Sequence, residues 1–179
     1  MTNRAGEPRA SMDVFDAIRT LLAVRSYRDD PVPDGVVTRI VEAGRLSGSG
    51  MNAQPWHFIV IRDRETLCRL GTLASSGPYV AQAQLAIVVA IDKTRFAVSD
   101  ASRAIQSMLL TAWADGVGSN WVGFGGLDNV KPLLNIPASL DVLAILPFGY
   151  PARAVGRGKK QRKSLREVAH SERFGQPFK

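Results

Sequence analysis

The chain has one cysteine, Cys68, and two histidines, His57 and His170, in 179 residues. A lone cysteine leaves no internal disulfide and fits a reducing compartment. Cys68 stands between Leu67 and Leu70 in a helical pattern, which favours a structural thiol over a nucleophile. Two histidines, one in a strand context and one near the end of the chain, leave no histidine-rich metal site, and each reads as structural. No apolar run reaches the roughly 18 residues needed to span a bilayer. Met1 to Ala10 lacks the apolar core of a secretory signal. A cytoplasmic protein without a membrane partner is the expectation. Gly-x-Ser-x-Gly, the Walker lysine loop and His-Glu-x-x-His are all missing, which removes the commonest signatures of hydrolases and nucleotide hydrolases. Gly123-Phe-Gly125-Gly126 is too weak for a dinucleotide fingerprint, and no internal repeat occurs.

Positive charge is in excess, with a formal net charge of +7. It is concentrated in Gly156-Arg-Gly-Lys-Lys-Gln-Arg-Lys-Ser-Leu-Arg166 and a few N-terminal arginines. Such a tail is ordinarily a solvated arm. Nucleic-acid binding would need aromatic residues interleaved with the charges to stack bases, and residues 156–166 contain none, so no nucleic-acid partner is expected. A hydrophobic content of 45% fits one ordinary globular domain. Residues 1–10 are expected to form a flexible arm, 11–174 a single domain, and 175–179 a C-terminal end.

Periodicity predicts the elements. Ser11 is a plausible cap, with Asp13 in the first turn, for a helix running to about Val24 with Phe15, Ile18, Leu21 and Leu22 as its apolar positions. Pro31 and Pro33 break the chain, Asp34 can cap, and Val37, Ile40, Val41 and Leu46 describe a second amphipathic helix. His57 to Arg62 reads as a buried strand and Arg64 to Leu73 as a helix, with a turn at Gly77-Pro78. The continuous apolar run Leu85 to Ile91 predicts a central strand buried on both faces. The longest helix is expected over Asp100 to Asp115, with a wide apolar surface and Gly116 at its end. A short strand or extended loop at Ser119 to Phe124, a short helix at Asp128 to Leu134 and a buried strand at Val142 to Phe148 follow. Helices and strands mix without a strict βαβ period, which predicts an α+β fold or a three-layer α/β sandwich.

Three polar patches stand among this apolar scaffolding. In Ser47-Gly48-Ser49-Gly50-Met-Asn52-Ala-Gln54-Pro55-Trp56-His-Phe58 the glycines admit close backbone approach, Asn52 and Gln54 supply paired donors and acceptors, and Pro55 stiffens the exit. The loop suits a planar polar ring, although a plain solvated connection fits the same composition. In Val24-Arg25-Ser26-Tyr27-Arg28 two guanidinium groups and a hydroxyl suit a phosphate. Lys160-Gln161-Arg162 is the third patch. The set suits binding more than acid–base chemistry, and no catalytic side chain or metal ligand stands out.

In type and order the three patches resemble the nitroreductase family of FMN-dependent oxidoreductases. Val24-Arg25-Ser26-Tyr27-Arg28 is similar to the family's Arg-Arg-Ser-x-Arg-like motif with one arginine replaced. Gly48-Ser49-Gly-Met-Asn52-Ala-Gln54-Pro55-Trp56-His-Phe58 is similar to its Pro-Ser-x-x-Asn-x-Gln-Pro-Trp-x-Phe-like stretch, with glycine in place of the proline. Gly116-Val-Gly118-Ser-Asn-Trp121 resembles the turn after the family's long helix, and Lys160-Gln161-Arg162 its C-terminal Lys/Arg pair. The likeness covers about residues 12–174.

The resemblance implies a three-layer α/β/α sandwich with a mixed, mainly antiparallel sheet, and an intertwined homodimer with FMN at the interface. It implies Arg25, Ser26, Arg28, Lys160 and Arg162 at the phosphate, Gly48, Ser49 and Gly50 at the isoalloxazine of the other subunit and Asn52 at its polar edge, with Gln54 among the cofactor-binding residues. Trp121, Val122 and Gly123 would bring backbone groups to the ring, while a core strand is an equal alternative for them. Trp56 is expected in the core. The implied activity is reduction of FMN by NAD(P)H, with electrons passing by a ping-pong scheme to a nitroaromatic, a quinone or a similar small acceptor. A flavin oxidase or dehydrogenase of the same family, or a flavin carrier or sensor without turnover, is the alternative. Val24 and the short segment Asp92 to Asp100 depart from the family pattern, and the latter implies an open pocket.

Overall fold

The computed structural model describes residues 12–123, 127–155 and 160–178. The expected arm 1–10, Ser11 as a cap, Gly125 and Gly126, and the 156–159 part of the basic tail lie outside the described residues.

The run Leu85–Asp92 (β2) organises the molecule because it is apolar at every position from 85 to 91, and each of those residues is buried. It pairs antiparallel with Trp56–Ile61 (β1) on one side and with Leu140–Gly149 (β4) on the other. Gly118–Ser119 (β3) pairs antiparallel with the end of β4, so the order is β1-β2-β4-β3. One parallel bridge, Ala23 to Ser119, joins the chain after the first helix to this edge, so the sheet is mixed and mainly antiparallel, as expected. Leu85, Ile87, Val89 and Ile91 enter one core, beneath helices Asp34–Arg45 (α2) and Ala97–Ala114 (α4). Ala86, Val88 and Ala90 enter a second core with Leu67 and Leu70 of Arg64–Leu73 (α3) and Val130 of Val130–Leu133 (α5). Two apolar faces require two covering layers, and the three-layer α+β sandwich follows.

Several boundaries differ from expectation for local reasons. The first helix is Val14–Thr20 (α1), and Asp13 is its cap, accepting from the N–H groups of Phe15 at 2.9 Å and Asp16 at 3.4 Å. It stops before Val24 because the Val24 N–H donates to Ser119 O at 2.9 Å, which draws the chain into the sheet edge. Pro33, rather than Asp34, occupies the cap of α2; Asp34 accepts from the Arg62 guanidinium at 2.8 Å. α4 begins at Ala97, three residues before the expected start, and Gly116 ends it with φ 75°. The expected buried strand at 57–62 is β1, at the edge of the strand order among the described residues, with Trp56 and Ile61 buried but His57 and Val60 exposed. Cys68 is exposed on α3, so its thiol has no part in either core.

Helix α3 lies close to the 3-10 turn Pro78–Gln82. A Cβ added at Gly71 would meet Ala81 N at 2.8 Å and Pro78 O at 2.9 Å, both backbone atoms. Gly71→Ala is therefore expected to destabilise the fold by about 1–3 kcal/mol through overpacking, against alanine's helix preference of about 1 kcal/mol, read as a lower urea midpoint with unchanged m.

Candidate functional site

The segment after α1 crosses the end of the sheet and carries the first polar patch. Tyr27 bridges to Pro151, the Arg28 N–H donates to Tyr150 O at 2.8 Å, and the Ala152 N–H donates to Ser26 O at 3.0 Å. Tyr27 is buried and its hydroxyl donates to Val24 O at 2.7 Å. Burial holds that hydroxyl far above the usual tyrosine range, nearby Tyr79 adds to the effect and Arg25 opposes it, so Tyr27 stays a neutral donor. Arg25, Ser26 and Arg28 stand exposed around this anchor. Arg25 lies 6.0 Å from the Tyr79 ring, and Arg28 pairs with Asp30 at 3.0 Å while lying over Tyr150.

Val24 takes the place of an expected phosphate ligand for a packing reason. It is 5% exposed, and a Cβ added at Gly118 would meet its methyl carbons at 2.5 and 2.8 Å. Residue 24 and β3 thus interlock, with no room for a guanidinium.

A cavity of about 780 Å³ opens between α1, α4, the β3 edge and the returning tail. Its walls include Leu21, Leu22, Leu109 and Trp121, and its polar lining includes Ser119, Asn120, Lys160 and Arg162. Volume and lining suit a small organic ligand with an anionic end. Ser119 is 2% exposed, and its Oγ has no hydrogen-bond partner among the described residues. The Lys160 ammonium donates to Ile18 O at 2.6 Å, in the last turn of α1. Partial burial, helped by the Arg162 charge, holds Lys160 below the ordinary lysine value. Asn120 donates to the Tyr79 hydroxyl and so links this cavity to the ring beside Arg25.

The structure therefore brings Trp121, Lys160 and Arg162 to one cavity. Arg25 and Ser26 do not line that cavity; Arg25 lies over the Tyr79 ring that Asn120 reaches from it, Ser26 takes the Ala152 N–H with its carbonyl, and Arg28 lines a smaller cavity with Trp113 and residues 151–155. Val122 is buried, and its N–H and C=O are both bonded to Ile145 of β4 at 3.0 and 2.8 Å, so its peptide groups are already partnered. Gly123 leaves space for the Trp121 indole, whose atoms a Cβ at 123 would strike. Ser119 and Asn120 lie within the Gly116–Trp121 stretch but had no role assigned there, and Tyr79 had no sequence signal beyond turn composition.

The loop 48–54 lies elsewhere, at the N-terminal end of α4, and lines no part of this cavity. Met51, Asn52 and Gln54 have φ of 52°, 56° and 49°, the left-handed region that non-glycine residues rarely take. Such backbone persists only where its surroundings fix it and clusters at ligand sites. The Gln54 N–H donates to Ser49 Oγ at 2.9 Å, and the Gln54 side-chain amide donates to Asn52 O at 3.3 Å. Gly48 is open to solvent and Met51 is 90% exposed. At the loop exit the Asp92 N–H donates to Pro55 O at 2.9 Å, and Trp56 is buried in the core, as expected.

Comparison with known proteins identifies the family. The family model for the nitroreductase family matches residues 19–94 and 77–150, well over half of the chain. The chain belongs to the nitroreductase family. It is 35% identical, over 82% of each chain, to a protein of Methanothermobacter thermautotrophicus provisionally named as an NADH dehydrogenase/NAD(P)H nitroreductase. A provisionally named nitroreductase of Desulfovibrio desulfuricans, solved in complex with FMN, is similar at 33% identity and a TM-score of 0.78, covering 92% of this chain and 99% of that one. A Bacteroides thetaiotaomicron protein with the same provisional name as the first gives 27% identity and a TM-score of 0.82, over 88% and 96%.

Restoring the family arginine is expected to fail: Val24→Arg would force a charge into the packed contact with Gly118 and lower stability by about 2–4 kcal/mol, seen as a reduced denaturant midpoint.

Proposed function

We propose that this FMN-dependent NAD(P)H oxidoreductase binds its flavin in a composite site, with the phosphate held by the cationic groups of one chain and the ring met by the loop 48–54 of a second. The observation that carries this reading is the cavity in which Lys160, Arg162 and the unpartnered Ser119 hydroxyl face walls of leucine and tryptophan. That donor set fits FMN, which needs cations and hydroxyls at its phosphate and apolar walls beside its ring. Lys160 and Arg162 hold the phosphate by charge-assisted hydrogen bonds, with Arg25 and Ser26 as further ligands from the sheet end, whereas Arg28 would have to leave Asp30 and its own cavity to join them. Gly48, Ser49, Gly50, Asn52 and Gln54 serve the ring, with Trp121, Val122 and Gly123 on its other side.

A homodimer is part of the proposal. Val14, Phe15 and Ile18 of α1, with Leu46, Met51 and Phe174, expose large apolar side chains, Phe15 by 68% and Phe174 by 93%. A second copy covering them would also carry its loop to the cavity. Asp100, beside the loop, and Gln106, on the cavity, are six residues apart on α4, about 9 Å of helix rise, so one chain's loop and cavity stand apart along the same helix.

Bound FMN would supply hydride acceptance from NAD(P)H and electron delivery to an oxidised acceptor in a ping-pong scheme. The positive field of Arg25, Lys160 and Arg162 favours added negative charge in the site. Only residues 93–96 separate β2 from α4, which leaves the acceptor side open to nitroaromatics, quinones and similar small molecules.

The test is anaerobic addition of NAD(P)H to the purified yellow protein, whose absorption near about 450 nm is expected to bleach and to return with an acceptor. Bound FMN that never bleaches would make the protein a flavin carrier or sensor, and protein that FMN cannot reconstitute would overturn the reading. Arg25→Ala and Arg162→Ala are each expected to weaken FMN binding by about tenfold or more, measured by flavin fluorescence quenching.

The lowered proton affinity of Lys160 gives a pH dependence. Lysine is charged below its pKa, so Lys160 loses its charge at a lower pH than an exposed lysine. FMN affinity is expected to fall as pH rises through the alkaline range, with a smaller fall in Lys160→Met, measured by FMN titration at a series of pH values.

A further inference from the structure

Asp100 and Ser119 are the two buried polar residues among the described residues, and Asp100, at 1% exposure, carries the buried carboxylate. A carboxylate so far from water needs compensation by hydrogen bonds or an opposite charge. One oxygen is paired with Arg103, one turn further along α4. The other accepts the Gly50 N–H at 3.0 Å, across fifty residues of chain. Asp100 stands in the first turn of α4, where the helix dipole favours a negative charge. It nevertheless caps nothing there; its second acceptor is turned out to the loop.

The contact falls at the start of the strained segment. Gly50 immediately precedes Met51 and Asn52, both left-handed, and its own missing Cβ leaves room for the Phe96 ring, which a Cβ would approach at 3.2 Å. A second tie lies one loop end earlier, where the Ser47 and Ser107 hydroxyls are hydrogen-bonded at 2.9 Å. The Ser47 tie joins two hydroxyls in a half-buried position, whereas the Gly50 tie uses a buried charge. A charge-assisted bond of that kind is the stronger of the two.

We propose that Asp100 is a positioning residue for the loop 48–54: held by Arg103, its carboxylate takes the Gly50 N–H and fixes the strained loop in the shape that meets the flavin. The inference rests on the flavin reading above, while the anchor itself is a property of the chain. Asp100 touches no cofactor. It acts through Gly50, and through the direction that Gly50 sets for Ser49 and Asn52.

Two variants test it. Asp100→Ala removes the acceptor, and Asp100→Asn keeps an oxygen at the same reach without the charge. Amide hydrogen exchange at Gly50 in the flavin-free dimer and the FMN dissociation constant are measured for both, below their melting temperatures. The alanine variant is expected to exchange Gly50 about tenfold faster and to bind FMN about tenfold more weakly, with the asparagine variant, which keeps an acceptor but loses the charge and its Arg103 pair, falling between alanine and wild type on both. A purely structural carboxylate would lower the melting temperature of both variants without separating their affinities. Should the alanine chain not fold, Asp100→Ser, whose hydroxyl stands one atom short of the Gly50 N–H, replaces it. Unchanged Gly50 exchange in the alanine or serine variant overturns the anchor. Faster exchange with unchanged FMN affinity overturns its part in the flavin site. Wild-type protein that binds no FMN overturns the flavin reading and the loop's task with it, and the exchange comparison then still reports whether the anchor exists.

Discussion

Everything in this fold depends on one strand having no face for water. β2 is apolar and buried from Leu85 to Ile91, and its alternate side chains enter two separate cores. Each face must be covered, which places α2 and α4 on one side and α3 and α5 on the other. α4 becomes the buried helix of the larger layer, with Ala101, Ala104, Ile105 and Met108 fully enclosed. The groups proposed to bind the flavin then occupy the positions that this layering leaves at the margins: the segment 25–28 across the sheet end, the loop 48–54 at the start of α4, and the tail 160–162 against α1.

Strong local periodicity made much of this readable from the amino-acid sequence. The run 85–91 announced a doubly buried strand, the span 64–73 matched its helix end to end, and the apolar stripe after Asp100 announced the longest helix. Boundaries set by tertiary contacts were not readable. α1 ends early because Val24 is drawn to Ser119, and α4 begins early because the chain turns back at once after β2. The edge position of β1 depends on which strand lacks a neighbour, and its apolar residues do not encode that. Cys68 was misjudged for a similar reason: a helical pattern between two buried leucines does not say which way the residue between them faces.

The site was legible in its parts and not in its assembly. Motif spacing marked 25–28, 48–54 and 160–162, but nothing local indicates that Lys160 and Arg162 share a cavity with Ser119 and Asn120 while the glycine loop stands at the N-terminal end of α4. Val24 shows the converse. As a missing arginine it read as a lost ligand, whereas its methyl groups lock against Gly118 and hold the β3 edge that forms the cavity wall. The loop's left-handed residues, Met51, Asn52 and Gln54, follow two ties to α4, from Ser47 to Ser107 and from Gly50 to Asp100, so the loop meets the helix that fills the core.

The proposed flavin site is completed by two chains, and mixed dimers test that claim most directly. A chain with loop substitutions at Ser49 and Asn52 is combined with a chain carrying Arg25→Ala and Arg162→Ala, and FMN bound per purified heterodimer is counted. In a composite site one of the two positions draws its loop and its cations from intact halves, so the account predicts one tightly bound FMN per heterodimer and little in either parent homodimer. No FMN in the heterodimer would place loop and cations in the same chain's site and contradict the account.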